Sequence, residues 1–466
     1  MECVMPDFHA GGLSLNFFES CEFEQEQRDN PIENAGIIAR NMLRFLMMKY
    51  EGQVNQMLSL QFVQAVFVQR DPKLLAGMRD AFQTGFDHIG SQLKDQKLSA
   101  AHNNQANLFV SNCLCFLPFA DLKPGYKCTI PQCIDETWQC VRYSVVPIEL
   151  TPTRGLETLF IHDNDRVFAY GLEPIGCPEA EPHLIFMGTT YPAGQGFETQ
   201  IKTDLEGFET VGNRLYRTGH KKLISWLDKQ NKKAHVCGTS LGGSLALLLA
   251  IHQGARLSRV DALNPAGLYE PWCQNELDCW NNLDNQDKPD VFIQKQGNDV
   301  VSSFGVWKKD WTIIKVIPAK AAFISMFDHA RNYAGYADTT FERIDAQQDN
   351  EVRRMHNVLF YSLLRGVVYY LGILPYHYLI RPVLLYAYEQ KLALAVLALF
   401  FACMIPFMSL YPALTIIIMP VVFHVMFKLV ASADIWMGLS DRPPAMIHRA
   451  VSEEEEEENI LELVNN

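Results

Sequence analysis

Apolar residues in the first quarter of the chain recur at three- and four-residue spacings, which predicts amphipathic helices. The pattern covers IIARNMLRFLMMKY (37–50), VNQMLSLQFVQAVFVQ (54–69) and, after Asp71-Pro72, KLLAGMRDAFQTGFDHIGSQL (73–93). Its Met and Phe stripes are typical of a hydrophobic core. We expect residues 1–120 to form a helical N-terminal region, for which the pattern identifies no protein partner.

From Tyr126 onward the spacing favours short strands, and strands then alternate with helices. Strand-like runs lie at 140–150, 158–173, 183–187, 234–238, 259–263, 290–296 and 312–318, and a helical run lies within 208–230. Such alternation favours parallel pairing, with ligands at the carboxyl ends of the strands. We predict an α/β domain with a mostly parallel sheet over residues 121–345.

A third pattern dominates the C-terminal part. Leu392 to Phe427 contains no Asp, Glu, Lys or Arg, although roughly 18–20 apolar residues already mark one membrane span. Ser409-Leu410-Tyr411-Pro412 divides it, which predicts a hairpin at 392–427 within membrane-associated helices at 346–440. Lysines flank both ends, so the positive-inside tendency places the α/β domain on the cytosolic side. Residues 357–388 form either a further span or an interfacial helix, and we favour the latter.

Charge and cysteine content narrow the class of protein. The net charge of −13 includes the run Glu453 to Glu458 in an acidic tail, 441–466, and the mildly acidic remainder argues against nucleic acid as a partner. The first residues lack the features of a cleaved secretory signal. Five of the 12 cysteines lie between Cys113 and Cys140 without a Cys-x-x-Cys pair. We expect buried thiols in a reducing compartment rather than a metal site, and no cofactor.

The stretch AHVCGTSLGGSLALLLA (234–250) carries the clearest chemistry. An apolar run meets Gly-Thr-Ser-Leu-Gly and leaves as a helix rich in Ala and Leu. This pattern predicts a nucleophile elbow, in which Gly238 and Gly242 allow close backbone contacts and Ser240 lies at the tip of the turn.

Several segments occur in an order that resembles the class 3 lipases of the α/β-hydrolase fold. They are FMGTT (186–190), CGTSLGGSLALLLA (237–250), VDALNPAG (260–267) and QGNDVV (296–301), within a match from Cys140 to Tyr336. One departure is Thr239, where these lipases usually have His, and it bears on substrate fit more than on chemistry. The resemblance implies a lipid ester substrate.

A serine nucleophile needs a histidine base and an acid that orients it, in the order Ser, acid, His for this fold. Asp299 follows the predicted strand 290–296 at its carboxyl end and is the favoured acid. Asp310 and Asp328 remain open alternatives, whereas Asp261 comes too early and Asp290 lies at the wrong end of its strand.

His329, in MFDHARNYAG, is the favoured base because it follows a later strand and is also similar to the late histidine segment of the family. Six other histidines are less suited: His356, His377 and His424 lie in or beside the membrane-like region, His252 lies on the elbow helix, and His220 and His235 precede the serine.

Two donors are expected in the oxyanion hole. The backbone N–H of Leu241 occupies the position after the nucleophile, which supplies one donor in this fold. The family's Phe-Arg-Gly-Ser/Thr segment matches Phe186 to Thr189, which makes Thr189 the second. Residues 190–200 and 270–286 are candidates for a lid or for ordinary surface loops.

Together these observations predict a membrane-associated serine hydrolase that cleaves lipid carboxylic esters, of triacylglycerol lipase or phospholipase type, through an acyl-enzyme. The alternative is a catalytically retired hydrolase fold that acts as a membrane tether or interaction protein.

Overall fold

The computed structural model describes residues 30–43, 49–50, 53–54, 72–94, 96–152, 165–190, 195–269, 279–319, 328–336, 338–356, 365–376 and 380, with the backbone alone at 49–50, 53–54 and 352–356. The chain divides into two compact units, one of residues 1–367 with 445–466 and one of residues 368–444.

A nine-stranded sheet forms the centre of the first unit, in the order β11-β10-β9-β8-β7-β6-β5-β4-β3. A separate two-stranded pair precedes it. The strands are β1 (Lys49–Tyr50), β2 (Gln53–Val54), β3 (Lys127–Ile134), β4 (Thr137–Glu149), β5 (Phe168–Pro174), β6 (His183–Phe186), β7 (Ala234–Thr239), β8 (Leu257–Leu263), β9 (Asp290–Gln296), β10 (Thr312–Ile317) and β11 (Thr340–Ile344).

The sheet is mixed, which corrects the expectation of a mostly parallel one. Strands β6 to β10 pair in parallel, whereas β3 to β6 and the pair β10–β11 are antiparallel. The physical reason is clearest between β3 and β4. Only Asp135 and Glu136 join them, both with positive φ (49° and 65°), and a two-residue loop joins only antiparallel strands.

Helices cover both faces of the sheet. They are α1 (Pro31–Met42), α2 (Pro72–Leu93), α3 (Ala100–Phe116), α4 (Phe197–Leu205), α5 (Asn213–Asp228), α6 (Leu241–Gln253), α7 (Ala346–His356) and the single turn α8 (Gly366–Val368), continued by a π-helical turn, Tyr369–Ile373. Helices α1 to α3 share one hydrophobic core with the sheet, and α5 and α6 share the other. Adjacent residues of β7 show the alternation, because Val236 enters one core and Cys237 the other. This layered α/β architecture is compatible with the α/β-hydrolase fold.

The N-terminal helices agree in part with the helical pattern. Helix α2 begins at Pro72, in agreement with the predicted break at Asp71-Pro72. The helix predicted over 37–50 ends at Met42, and Lys49–Tyr50 pairs instead with Gln53–Val54. Only two residues separate these strands, which selects a hairpin. The predicted helix 54–69 lies, beyond Val54, outside the described residues. Since α1 to α3 pack on the sheet, the predicted boundary at residue 120 crosses a shared core.

The predicted membrane-associated region, 346–440, begins with a helix, α7, that instead packs with the sheet. Helix α7 belongs to the sheet-bearing unit: the Asp349 carboxylate accepts hydrogen bonds from Lys295 and from the Trp307 indole, and Asn350 binds the Trp307 backbone. Among the residues that the structure describes, no helix has the length and apolarity to cross a membrane. The predicted hairpin at 392–427 and the acidic tail at 441–466 lie outside those residues.

Candidate active site

The turn between β7 and α6 has the backbone geometry of a nucleophile elbow. Ser240 has φ 55° and ψ −121°, a conformation that a residue with a side chain rarely adopts. Its N–H donates to the Leu263 carbonyl of β8, 2.8 Å away. A Cβ on Gly238 would lie 2.3 Å from the Gly242 carbonyl oxygen, and one on Gly242 would lie 2.2 Å from that of Phe186. Both positions therefore require glycine.

Three of the predicted side chains form a continuous hydrogen-bonded chain. His329 Nε2 lies 2.7 Å from Ser240 Oγ, and His329 Nδ1 lies 2.9 Å from Asp299 Oδ1. Asp299 is 3% exposed, and its carboxylate also accepts the backbone N–H groups of Val301 (2.9 Å) and Ser302 (3.0 Å). These bonds fix the carboxylate, which in turn orients the imidazole.

The alternative acids have other partners. Asp310 accepts hydrogen bonds from the Trp280 indole and Lys288. Asp328 is fully buried, where it accepts the Tyr333 hydroxyl and the Asn298 backbone N–H (2.8 Å). Asp328 thus joins the loop after β9 to the loop that carries the candidate base.

Among the other histidines, His252 stacks on Tyr216 with ring centroids 5.2 Å apart, and His220 Nδ1 lies 2.7 Å from the Arg217 carbonyl oxygen. The backbone at His356 ends α7, while His377 and His424 lie outside the described residues.

The loop bearing His329 is held by contacts that the sequence did not suggest. The Asn264 amide, at the end of β8, donates to the His329 carbonyl (2.9 Å), and the Asn264 side-chain oxygen accepts the Gln296 N–H (2.8 Å). Gly335, with φ 88°, packs so closely on α1 that a Cβ there would lie 2.0 Å from the Gly36 carbonyl oxygen. The N-terminal helices therefore support the loop of the candidate base.

The predicted oxyanion segment lies against the elbow. A Cβ on Gly188 would lie 2.8 Å from the Thr239 carbonyl oxygen and 3.0 Å from its methyl group. The residue that departs from the lipase pattern thus packs on the oxyanion segment. Leu241 opens α6, so its N–H is among those left unpaired by the helix itself. Thr189 follows Gly188 at this edge, and its hydroxyl donates to the Asp204 carboxylate, 2.6 Å away.

Asp204, near the end of α4, is a residue that the sequence analysis missed. Burial raises the pKa of its carboxyl group to about 6, although the hydrogen bond from Thr189 and the charges of Arg365 and His329 lower it. No spacing rule links it to Thr189, since the two residues are 15 positions apart and a helix begins between them.

The candidate lid segments are only partly described. Residues 191–194 and 270–278 lie outside the described ranges. Beyond them, Phe197–Leu205 forms α4, and Trp280 is 2% exposed with its ring edge-on to Trp311. No group of three or more His, Cys, Asp or Glu residues in the described part of the chain is arranged to hold a metal ion.

A second group of polar side chains lies where α3 packs on strands β6, β7 and β8. We call Ser111, His183, His235, Arg259 and Asp261 the buried polar cluster. The Asp261 carboxylate accepts hydrogen bonds from Arg259 (2.7 and 3.0 Å) and Ser111 (2.7 Å), and it lies 2.9 Å from His235 Nε2. The cluster joins α3 to β6, β7 and β8.

No family model matches the chain, and no curated protein matches it. Among solved structures, the Lip2 lipase from Yarrowia lipolytica is similar over 48% of this chain and 80% of that one, at 13% sequence identity and a TM-score of 0.26.

Proposed function

We propose that the chain is a serine hydrolase that cleaves carboxylic esters of lipids through an acyl-enzyme. The observation that carries this proposal is the hydrogen-bonded chain from Ser240 through His329 to Asp299, with the serine on a strained, glycine-flanked turn. A surface serine without a base would have no reason to occupy such a conformation.

The geometry supports the following sequence of steps. Ser240 Oγ attacks the ester carbonyl while His329 Nε2 takes its proton, and Asp299 stabilises the imidazolium that forms. The carbonyl oxygen becomes negative and is held by the backbone N–H groups of Leu241 and Thr189, since the Thr189 hydroxyl donates to Asp204. His329 then protonates the leaving alcohol, and water releases the acid from the acyl-enzyme by the same steps.

A lipid substrate is supported by the sequence resemblance to class 3 lipases and by apolar side chains late in the chain. Val367, Tyr370 and Leu371 are 49%, 52% and 77% exposed, and the uncharged stretch 392–427 follows them. Exposed apolar groups of this kind favour association with a membrane, which would hold the site close to an insoluble ester. We place the catalytic domain on the cytosolic side, because lysines flank the stretch.

Labelling by a fluorophosphonate probe tests the chemistry. The wild-type chain should take up the probe at Ser240, and Ser240→Ala should take up none. Ser111→Ala is a matched control, because Ser111 also lies beside a histidine and an aspartate, and it should label like the wild type. A folded wild type that takes no label would indicate the retired-hydrolase alternative.

Membrane association is tested separately by sedimentation with phosphatidylcholine vesicles. The full chain should sediment with them, and a variant that lacks 392–427 should stay in the supernatant while it retains probe labelling. Equal sedimentation of both would contradict the proposed anchor without affecting the proposed chemistry.

A further inference from the structure

Arg365 makes an unusual set of contacts for a residue at the start of an apolar segment. It is only 4% exposed. Its guanidinium donates to three backbone carbonyl oxygens, those of Glu209 (2.6 Å), Asp204 (2.9 Å) and Thr203 (3.4 Å). Two of these belong to the last turn of α4, where carbonyl groups lack partners within the helix and a cation is favourable. Arg365 therefore caps α4 from a distant part of the chain.

The backbone beside Arg365 is fitted to the same place. A Cβ on Gly207 would lie 2.6 Å from Gly366 Cα, and a Cβ on Gly366 would lie 2.7 Å from the Phe208 ring. Phe208 has φ 63°, a strained value for an aromatic residue. Gly207, Gly366 and the strained Phe208 thus allow the backbone at 207–208 and the backbone at 366 to cross closely, which larger or unstrained residues would prevent.

The helix that Arg365 caps also carries the partner of Thr189. Asp204 offers its backbone carbonyl to Arg365 and its side chain to the Thr189 hydroxyl. The Arg365 charge also acts on the Asp204 carboxyl group and lowers its pKa, against the effect of burial, which favours the ionised form that accepts the hydroxyl. The charge and the hydrogen bonds of Arg365 therefore influence the orientation of the Thr189 side chain.

We propose that Arg365 is a positioning residue for the oxyanion hole. Arg365 fixes Asp204 and, through Asp204, Thr189, so that the hole depends on attachment to α4 of the segment that begins at Arg365. This inference rests on the proposed function. It deepens that function by making oxyanion stabilisation depend on a residue that adjoins the exposed apolar side chains from Val367 onward.

A double-mutant cycle with the full-length chain tests the coupling, with turnover of a p-nitrophenyl ester as the readout. Arg365→Met should lower kcat about tenfold with KM little changed, because the hole acts on the transition state. Thr189→Val removes the hydroxyl that binds Asp204, so the Thr189 N–H is no longer held in place and kcat should fall by about tenfold or more. In the double variant, kcat should equal that of Thr189→Val alone. Arg365→Lys, which keeps the charge and some donors, should recover most of the wild-type kcat.

Arg79→Met is the matched control. Arg79 also donates to backbone carbonyl oxygens, those of Ala120 (2.6 Å) and Asp121 (3.2 Å), where the 3₁₀ turn Leu117–Ala120 ends. Its loss should lower the melting temperature and leave kcat unchanged. If Arg365→Met is not recovered folded, the cycle is run with Arg365→Lys, whose smaller loss should likewise vanish in the Thr189→Val background.

The outcomes separate the two proposals. Equal losses from Arg365→Met with Thr189 present and absent, or a loss confined to KM, overturn the role given to Arg365 while Ser240 still labels. A wild type that neither labels nor hydrolyses the ester overturns the proposed function, and with it the inference.

Discussion

The candidate active site and the buried polar cluster contain the same three side-chain types but connect them differently. At the candidate site His329 meets Ser240 through Nε2 (2.7 Å) and its carboxylate through Nδ1 (2.9 Å). In the buried polar cluster Ser111 and Asp261 both face Nε2 of His235, at 3.3 and 2.9 Å, and the Ser111 hydroxyl donates directly to Asp261. Only the first arrangement has an imidazole between hydroxyl and carboxylate.

The surroundings differ as sharply as the connections. Burial alone would raise the pKa of Asp261, but the Arg259 guanidinium and hydrogen bonds from Arg259 and His235 bring it well below its ordinary value. Its charge is therefore already satisfied. Ser240 instead lies on a strained turn at the carboxyl end of β7, the end at which ligands bind in α/β sheets. Residue types alone thus do not define a catalytic site, whereas order of contact, strain and position on the sheet do.

The largest expected difference comes from replacing the two histidines. His329→Gln should lower kcat/KM for an ester by about 10⁴-fold or more, because the base is lost. His235→Gln should leave kcat/KM within about threefold and lower the free energy of unfolding instead. Ester turnover and urea denaturation of both variants make the test. A large loss of turnover in folded His235→Gln would show that the buried polar cluster takes part in the chemistry.

A second difference is expected in stability. Asp261→Asn removes the charge that pairs with Arg259, whose side chain is 13% exposed, and the arginine is left without its counter-ion. Breaking a buried pair in this way costs about 3–5 kcal/mol. Urea denaturation of the variant should show this loss, and the exposed pair of Lys232 and Glu179 offers a control in Glu179→Gln, expected within about 0.5 kcal/mol of wild type. A similar small change for Asp261→Asn would mean that the carboxylate does not hold the cluster together.

The smallest expected effect is a pH dependence of stability. Burial and the neighbouring His235 hold the pKa of His183 well below its ordinary value. Around it lie His235 on β7, Gln132 on β3 and the Tyr143 ring on β4. Below pH ~6.5 the unfolded chain binds a proton there that the folded chain does not, so stability falls as pH decreases, by up to about 1.4 kcal/mol per pH unit.

The matched variant for this effect is His183→Asn, which retains a polar group near the position of Nδ1. Comparison with the wild type separates the contribution of His183 from that of Asp204, which is present in both proteins. The raised pKa of Asp204 acts in the opposite direction, because its contribution to stability is complete below pH ~3.9 and is lost as pH rises through about 6. The slope of unfolding free energy between pH 6.5 and 5 should be shallower in His183→Asn. Identical slopes would show that His183 is protonated in the folded state.

The sequence located strands β4 to β10, because each is a short apolar run between turn residues, and it missed β3. It did not predict that half of the strand pairs in the sheet are antiparallel, since the antiparallel pairing of β3 to β6 follows from connection length and turn conformation, which periodicity does not encode. It also missed β11, whose residues are mostly exposed and carry no buried pattern.

For the site, sequence order and motif brought Ser240, Asp299 and His329 to attention, and the structure brings these three together. Their catalytic roles remain part of the proposed function. Asp204 and Arg365 lie outside any motif, because their contacts with Thr189 and α4 arise from segments 15 and about 160 residues apart. Such contacts are set by tertiary packing alone.

The hydrogen bond from the Ser240 N–H to Leu263 has a consequence for heat resistance. The strained turn is held by a carbonyl of the neighbouring central strand, 2.8 Å away, and by glycine contacts with Phe186 on the other side. It has no room to relax while those strands remain paired. Loss of the turn on heating should therefore coincide with melting of the sheet, so that the turn itself does not unfold in an earlier, local phase.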